Sequence, residues 1–245
     1  MAGFMAEFEA DLSRSFGAGS ASGGTNSSIV LQISLAGQPA GSIAVPTGAT
    51  ICETLAVGSG GGGGGTYTGP GGAGPGGGGA YARSRFSVAA GKSLGYSDMT
   101  LFGLRGGNQS SNTLGGNAAA TVVTYNGATV CQADGGYGGS GVITANTNGA
   151  PGAGGQVANC VGNIEVRGGQ AGIQNATSAG DGGNIGGSAP AVTSIGGVTA
   201  SGSTGVGFSG SGYGAGGSGA HVTGTQNYSG GNGLPGYLVV TFYSA

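Results

Sequence analysis

Six consecutive glycines, Gly60 to Gly65, in a chain with 65 glycines among 245 residues set the tightest limit on what this protein can fold into. Glycine brings no side chain to a core and has the most backbone entropy to lose on folding. Such a chain is either disordered, or held by dense backbone contacts or by its neighbours in an assembly. Glycine-rich low-complexity chains are commonly disordered. Here, however, 37% of residues are hydrophobic, only 6% are charged, and strand-like patches alternate with the glycine runs throughout. The balance favours a folded chain.

Residues 1–16 differ from all that follows. Met1, Met5, Phe8 and Leu12 keep helical spacing, with Phe4 and Phe16 close to the same stripe. Glu7, Glu9 and Asp11 supply polar positions near the helix start, and Gly17 is a suitable stop. The expectation is a short amphipathic helix over 1–16 that anchors the chain or joins copies of it, or folds back on its own domain. Residues 17–28 read as a flexible linker, and residues 29–245 as one glycine-rich β domain.

Within that domain, Ile29 to Leu35 and Ile51 to Val57 alternate as strands do, and Ile43 to Val45 is a shorter one. Further patches run over Ala80 to Val88, Met99 to Leu104, Ala119 to Tyr125 and Ala128 to Gln132. Weaker ones lie near Val142-Ile143, Val157 to Val166, Ala191 to Ala200 and Val206 to Phe208, and Tyr237 to Tyr243 closes the chain. Asn126-Gly127 is the strongest hairpin signal. The expected fold is therefore all-β, a sandwich or barrel-like domain with long glycine-rich loops. A second architecture is open: runs such as Gly76 to Gly79 and Gly135 to Gly139 suit extended polyproline II helices, which pack closely without Cβ atoms. Collagen is excluded, because no strict Gly-X-Y period is sustained.

Six Lys and Arg against eight Asp and Glu give no footprint for nucleic acid. No apolar run is long enough to span a membrane as a helix, and the N-terminus lacks the features of a secretory signal. Cys52, Cys131 and Cys160 show no metal-ligand spacing with each other or with His221, and read as small buried hydrophobes. Gly91-Lys92-Ser93 resembles the end of a phosphate loop, but Phe86 stands where the first glycine belongs. No nucleophile–base constellation is legible, so no enzyme, cofactor or metal is expected. The binding candidates are aromatics within glycine loops: Tyr67, Tyr137, Phe208, Tyr213 and Tyr228. Such rings suit adhesion to a sugar or protein surface, or they simply pack over the loops.

Several motifs recur here in a recognisable order. They are Val45-Pro46-Thr47-Gly48, Leu55-Ala56-Val57-Gly58 with Gly60 to Gly65, Gly79-Ala80-Tyr81-Ala82, Phe86 to Leu94, Tyr125 to Val130, and Leu234-Pro235-Gly236 leading into Tyr237 to Val240. In that order the chain resembles the glycine-rich domain of bacteriophage tail-fibre and virion appendage proteins over roughly residues 29–245. It departs at Tyr96 to Leu104, where a repeated Val-Gly-x-Gly-Gly segment would be expected. The resemblance implies a structural virion protein contributing to host attachment, commonly a homotrimer, without catalytic residues. Its partners would be other virion proteins through the N-terminal helix, and a bacterial surface glycan or protein. The rival reading is a non-viral surface-binding module, either ice-binding or a glycine-rich cell-wall or matrix protein.

Overall fold

The computed structural model describes residues 28–67, 70–109, 113–144, 147–166, 168, 196 and 204–244. The expected helix over 1–16, nearly all of the expected linker and most of the weak patch at Ala191 to Ala200 lie outside the described residues. The described chain is all-β. Its strands are β1 Ser28–Ala36, β2 Gly41–Ala44, β3 Ile51–Val57, β4 Gly71–Gly72, β5 Tyr81–Ser87, β6 Ser93–Tyr96, β7 Thr121–Tyr125, β8 Ala128–Ala133, β9 Thr147–Asn148, β10 Ile164–Val166, β11 His221–Val222 and β12 Tyr237–Ser244.

Two antiparallel sheets carry the larger strands, one in the order β1-β12-β3-β5-β10 and the other β2-β6-β7-β8. Neither closes on itself, so the barrel alternative is set aside. The sheets share one core, with Cys52, Ala82, Leu238, Val240 and Phe242 from the first and Ile43, Leu94, Val123 and Cys131 from the second. Burying each of the larger side chains contributes about 1.5–3 kcal/mol. Asn126 and Gly127 both take positive φ, 50° and 79°, as a type I′ turn between β7 and β8 requires. β3 buries Cys52, Thr54 and Ala56 inside the sandwich and turns Ile51, Glu53 and Leu55 to its outer face. There Leu55, Val57, Tyr81 and Tyr237 form a second, smaller cluster.

Four expected strand patches are corrected. Met99 to Leu104, Val142-Ile143 and Val206 to Phe208 lie outside every strand, Val142 making an isolated bridge to Thr66, because their backbones bond to several neighbouring segments in turn and not to one continuous ladder. Val157–Asn159 is a 3-10 turn, and the strand of the Val157 to Val166 patch is confined to Ile164–Val166. The short strand β6 went unread, since Gly95 interrupts its apolar pattern.

Above the sandwich the glycine segments continue as extended rods. We label them A (58–66), B (71–80), C (101–107), D (113–119), E (134–142), F (149–155), G (205–208), H (214–222) and I (228–236). Rod A is the axis. The N–H groups of Gly60, Gly61 and Gly62 donate to carbonyls of Leu234, Gly77 and Gly116, on rods I, B and D. Those of Gly63, Gly64 and Gly65 donate to Gly231, Gly74 and Thr113, on the same three rods in the same order. The carbonyls of Gly60, Gly61 and Gly62 accept from Gly103, Gly217 and Gly139, on rods C, H and E. Those of Gly63, Gly64 and Gly65 accept from Gly106, Ala220 and Val142, again on C, H and E. The repeat is three residues, the period of a polyproline II helix.

The six neighbours also bond to one another around the axis. Gly76 to Gly217 joins B to H, Gly231 to Ser218 joins I to H, and Gly233 to Gly103 joins I to C. Gly116 to Leu104 joins D to C, Gly115 to Gly139 joins D to E, and Gly77 to Tyr137 joins B to E. Chain direction alternates around this closed ring. Rods A, B and I continue β3, β5 and β12 of one sheet, while C, D and E continue β6, β7 and β8 of the other. Rods F and G pack outside the ring, F on B and E, G on H and I.

Glycine on the axis is a steric requirement. A Cβ on Gly60 or Gly63 would collide with the carbonyl of Ala215 or Ser218 on rod H; on Gly61 or Gly64, with Tyr137 or Ser140 on rod E; on Gly62 or Gly65, with Leu104 or Gly107 on rod C. These colliding atoms are backbone, which cannot move aside cheaply. Gly63→Ala is therefore expected to destabilise the fold by about 3 kcal/mol. Gly224→Ala, with open space around it, should stay within about 0.5 kcal/mol of the parent. Thermal unfolding of the two variants checks this, and equal effects would refute the steric account.

Candidate functional site

Each rod of the ring runs between the sandwich and a far end, here called the tip. Ser28 pairs with Ser244 and Ile51 with Tyr243 at the base of the sandwich. Seven residues of β3 span about 23 Å, and nine residues of rod A add about 28 Å. The residues preceding Ser28 therefore join the fold at the end opposite the tip, about 50 Å away.

The described ends of four connections meet at the tip: A to B, C to D, E to F and H to I. A small sheet in the order β11-β4-β9 ties three of them together. Thr66 adds a further tie, bridging in parallel to Val142 and antiparallel to Tyr228. Its buried hydroxyl accepts from the Tyr228 N–H at 3.2 Å. The sequence intervals 66–71, 107–113, 143–149 and 222–228 contain no Asp, Glu, Lys, Arg or His. Among described residues, Asn108, Gln109, Thr144, Asn148, Thr225 and Gln226 are exposed there. This set was missed from sequence. The signal that could have found it is the shared Thr/Asn/Gln content of four short intervals, each at the end of a glycine run.

The five aromatics expected to bind do not form one surface. Tyr67 and Tyr228 stand at the tip, the first following Thr66 in the chain and the second paired with it, each half-buried. The Tyr228 hydroxyl donates to Gln226 Oε1 at 2.8 Å. Tyr137 lies on rod E, towards the sandwich, where its hydroxyl accepts from Asn159 Nδ2 at 3.2 Å. Phe208 is exposed on rod G. Tyr213 folds back over the outer face of the five-stranded sheet and stacks on Tyr237, with ring centroids 4.9 Å apart and planes 6° from parallel. Met1, Phe4, Met5, Phe8, Leu12 and Phe16 lie outside the described residues.

Among the described residues the charged side chains lie on the sandwich side, apart from Arg105 on rod C. Arg83 and Glu53 form an ion pair of 2.8 Å on the outer face of the five-stranded sheet, and the Arg85 guanidinium lies 5.4 Å from the Tyr243 ring centre. Among the described residues no group of three His, Cys, Asp or Glu could hold a metal ion, and no helix is long and apolar enough to cross a membrane. All three thiols are free, with Cys52 and Cys131 buried. Burial pushes the Cys52 thiol up to about 12, helped by the neighbouring Glu53 charge. Burial likewise pushes Cys131 up to about 11. Neither is a nucleophile at neutral pH.

The chain matches no protein-family model and no curated protein.

Two outcomes are expected. Tyr213→Ala should cost about 1 kcal/mol through the lost Tyr237 stack, whereas Gln226→Ala at the tip should leave the melting temperature unchanged. Because both core thiols are protonated in the fold at pH values where unfolded thiols ionise, stability should hold below about pH 8.5. It should then fall as pH rises from about 8.5 towards about 11 and about 12, where the folded thiols ionise too and the decline levels off. Guanidinium unfolding across that range checks this, and Cys131→Ala should make the decline shallower.

Proposed function

We propose that this chain is a structural, non-enzymatic virion protein of a bacteriophage, a fibre-like or decorative appendage that contributes to host-surface attachment. The observation that carries the reading is axial. Ser28, where the described chain begins, lies at the base, and the described ends of four connections with uncharged sequences lie about 50 Å away at the tip. That layout suits a protein held at one end and presenting a surface at the other. The order of motifs shared with appendage glycine-rich domains supports the same reading.

On this proposal residues 1–16 bind other virion proteins or join copies into a homotrimer, and the glycine-rich domain projects outward. The rods act as a stiff spacer. Many copies on one particle raise the effective concentration of a weak contact, so each tip needs little affinity of its own.

Density-gradient fractionation of a lysate, with mass spectrometry of every fraction, tests the reading. The chain should co-sediment with intact particles at constant stoichiometry, and a chain lacking residues 1–16 should stay at the top of the gradient. A full-length chain that stays soluble, or that tracks with cell walls, would overturn the virion assignment.

A further inference from the structure

We propose that the tip binds an uncharged carbohydrate, with Tyr67 and Tyr228 offering ring faces and the neighbouring amides and hydroxyls forming hydrogen bonds. This rests on the tip being the attachment end of the molecule, and names the chemistry it reads.

The charge distribution along the long axis carries the inference. Glu53, Arg83, Arg85, Lys92, Asp98 and Glu165 belong to the sandwich and its edges, and Asp134 sits where β8 becomes rod E. Arg105 is partway up rod C, its N–H bonded to Asn232 Oδ1 at 2.9 Å. Beyond Arg105 no described residue towards the tip carries a formal charge. A site for phosphate, carboxylate or an acidic polysaccharide would need cations at that end, because charge-assisted bonds supply most of the recognition of such groups.

What the tip offers is neutral. Asn108, Asn148 and Gln226 each present a carbonyl oxygen beside an NH₂, and Thr144 and Thr225 add hydroxyls that both donate and accept. That set matches vicinal sugar hydroxyls, which need donors and acceptors side by side. Tyr67 and Tyr228 are ordered by the backbone, through Tyr67 N–H to the Val142 carbonyl at 2.7 Å and Thr66 N–H to the Tyr228 carbonyl at 2.8 Å. Their rings supply flat apolar area at low entropic cost. A protein epitope is a poorer match: interface centres are apolar and anchored by Trp, Tyr and Arg. In these loops Ile143 is the exposed large apolar side chain among described residues.

The test applies the full chain to an array of neutral and acidic bacterial polysaccharides. Retention should be confined to neutral glycans and stay constant between about 0.05 M and 0.5 M salt, since no ion pairs contribute. Tyr67→Ala should weaken retention by about tenfold, and Gln226→Ala, which removes an exposed side chain and its hydrogen bond to the Tyr228 hydroxyl, should weaken it without altering the melting curve. Retention on acidic glycans only, with loss at high salt, would overturn the proposal. So would the absence of any neutral hit. Binding to bacterial cells that survives periodate but not protease would assign the tip to a protein instead. Co-sedimentation with particles is an independent readout. A chain on the particle without neutral-glycan binding sinks this inference alone, and glycan binding by a chain absent from particles sinks the virion reading alone.

Discussion

Every buried peptide group needs a hydrogen-bond partner, and in the middle of this molecule only other peptide groups are available. Rod A has six glycines in a row and meets that demand in two directions at once. Its N–H groups go to three rods of opposite direction, its carbonyls to three rods of its own direction. Six neighbours are the number that surrounds one cylinder, so the rest of the bundle follows from that count. A hydrogen bond contributes about 1 kcal/mol net, while fixing a residue's backbone costs about 1–2 kcal/mol. The bonds alone therefore do not hold the rods. Close approach of backbone to backbone must add dispersion and Cα–H···O contacts, and a side chain at the axis would forfeit both.

The bundle depends in turn on the sandwich beneath it. Polyproline II helices have no internal hydrogen bonds and cannot form one at a time. The two sheets hold the roots of six rods at strand spacing, β3, β5 and β12 feeding A, B and I while β6, β7 and β8 feed C, D and E. A conventional apolar core, with Phe242, Leu94, Leu238 and Val240 fully buried, thus supplies the stability that fixes where the glycine segments start. Tyr213 stacked on Tyr237 closes the seam between the two parts.

The same division of labour bears on function. The rods leave little room for side chains, so chemistry is displaced to their ends. Among the described residues charge remains on the sandwich, with its Arg83–Glu53 pair, and on Arg105 of rod C, and the tip is left with amides, hydroxyls and two tyrosines. Because each tip loop joins rods fixed by backbone bonds, its sequence is released from any duty to the core.

Much of this was legible in the chain itself. Alternating residues in β3 and β12, and Asn126-Gly127 between β7 and β8, determined those strands and the hairpin, because period-two burial and positive φ are local demands; β1 alternates in sequence, but Ile29, Val30 and Leu31 are all exposed. The glycine runs determined that ordinary side-chain packing was impossible there, leaving a backbone-packed bundle as one of two architectures. Tertiary structure alone decided which rods touch. Glycines are identical to one another, so a run carries no mark of its partner, and register comes from the strands at its root. For the same reason Tyr67 and Tyr228, 161 positions apart in sequence, both reach the tip while Tyr213 goes to the seam. Their local sequences are alike, and only the direction in which each rod leaves the sandwich separates them.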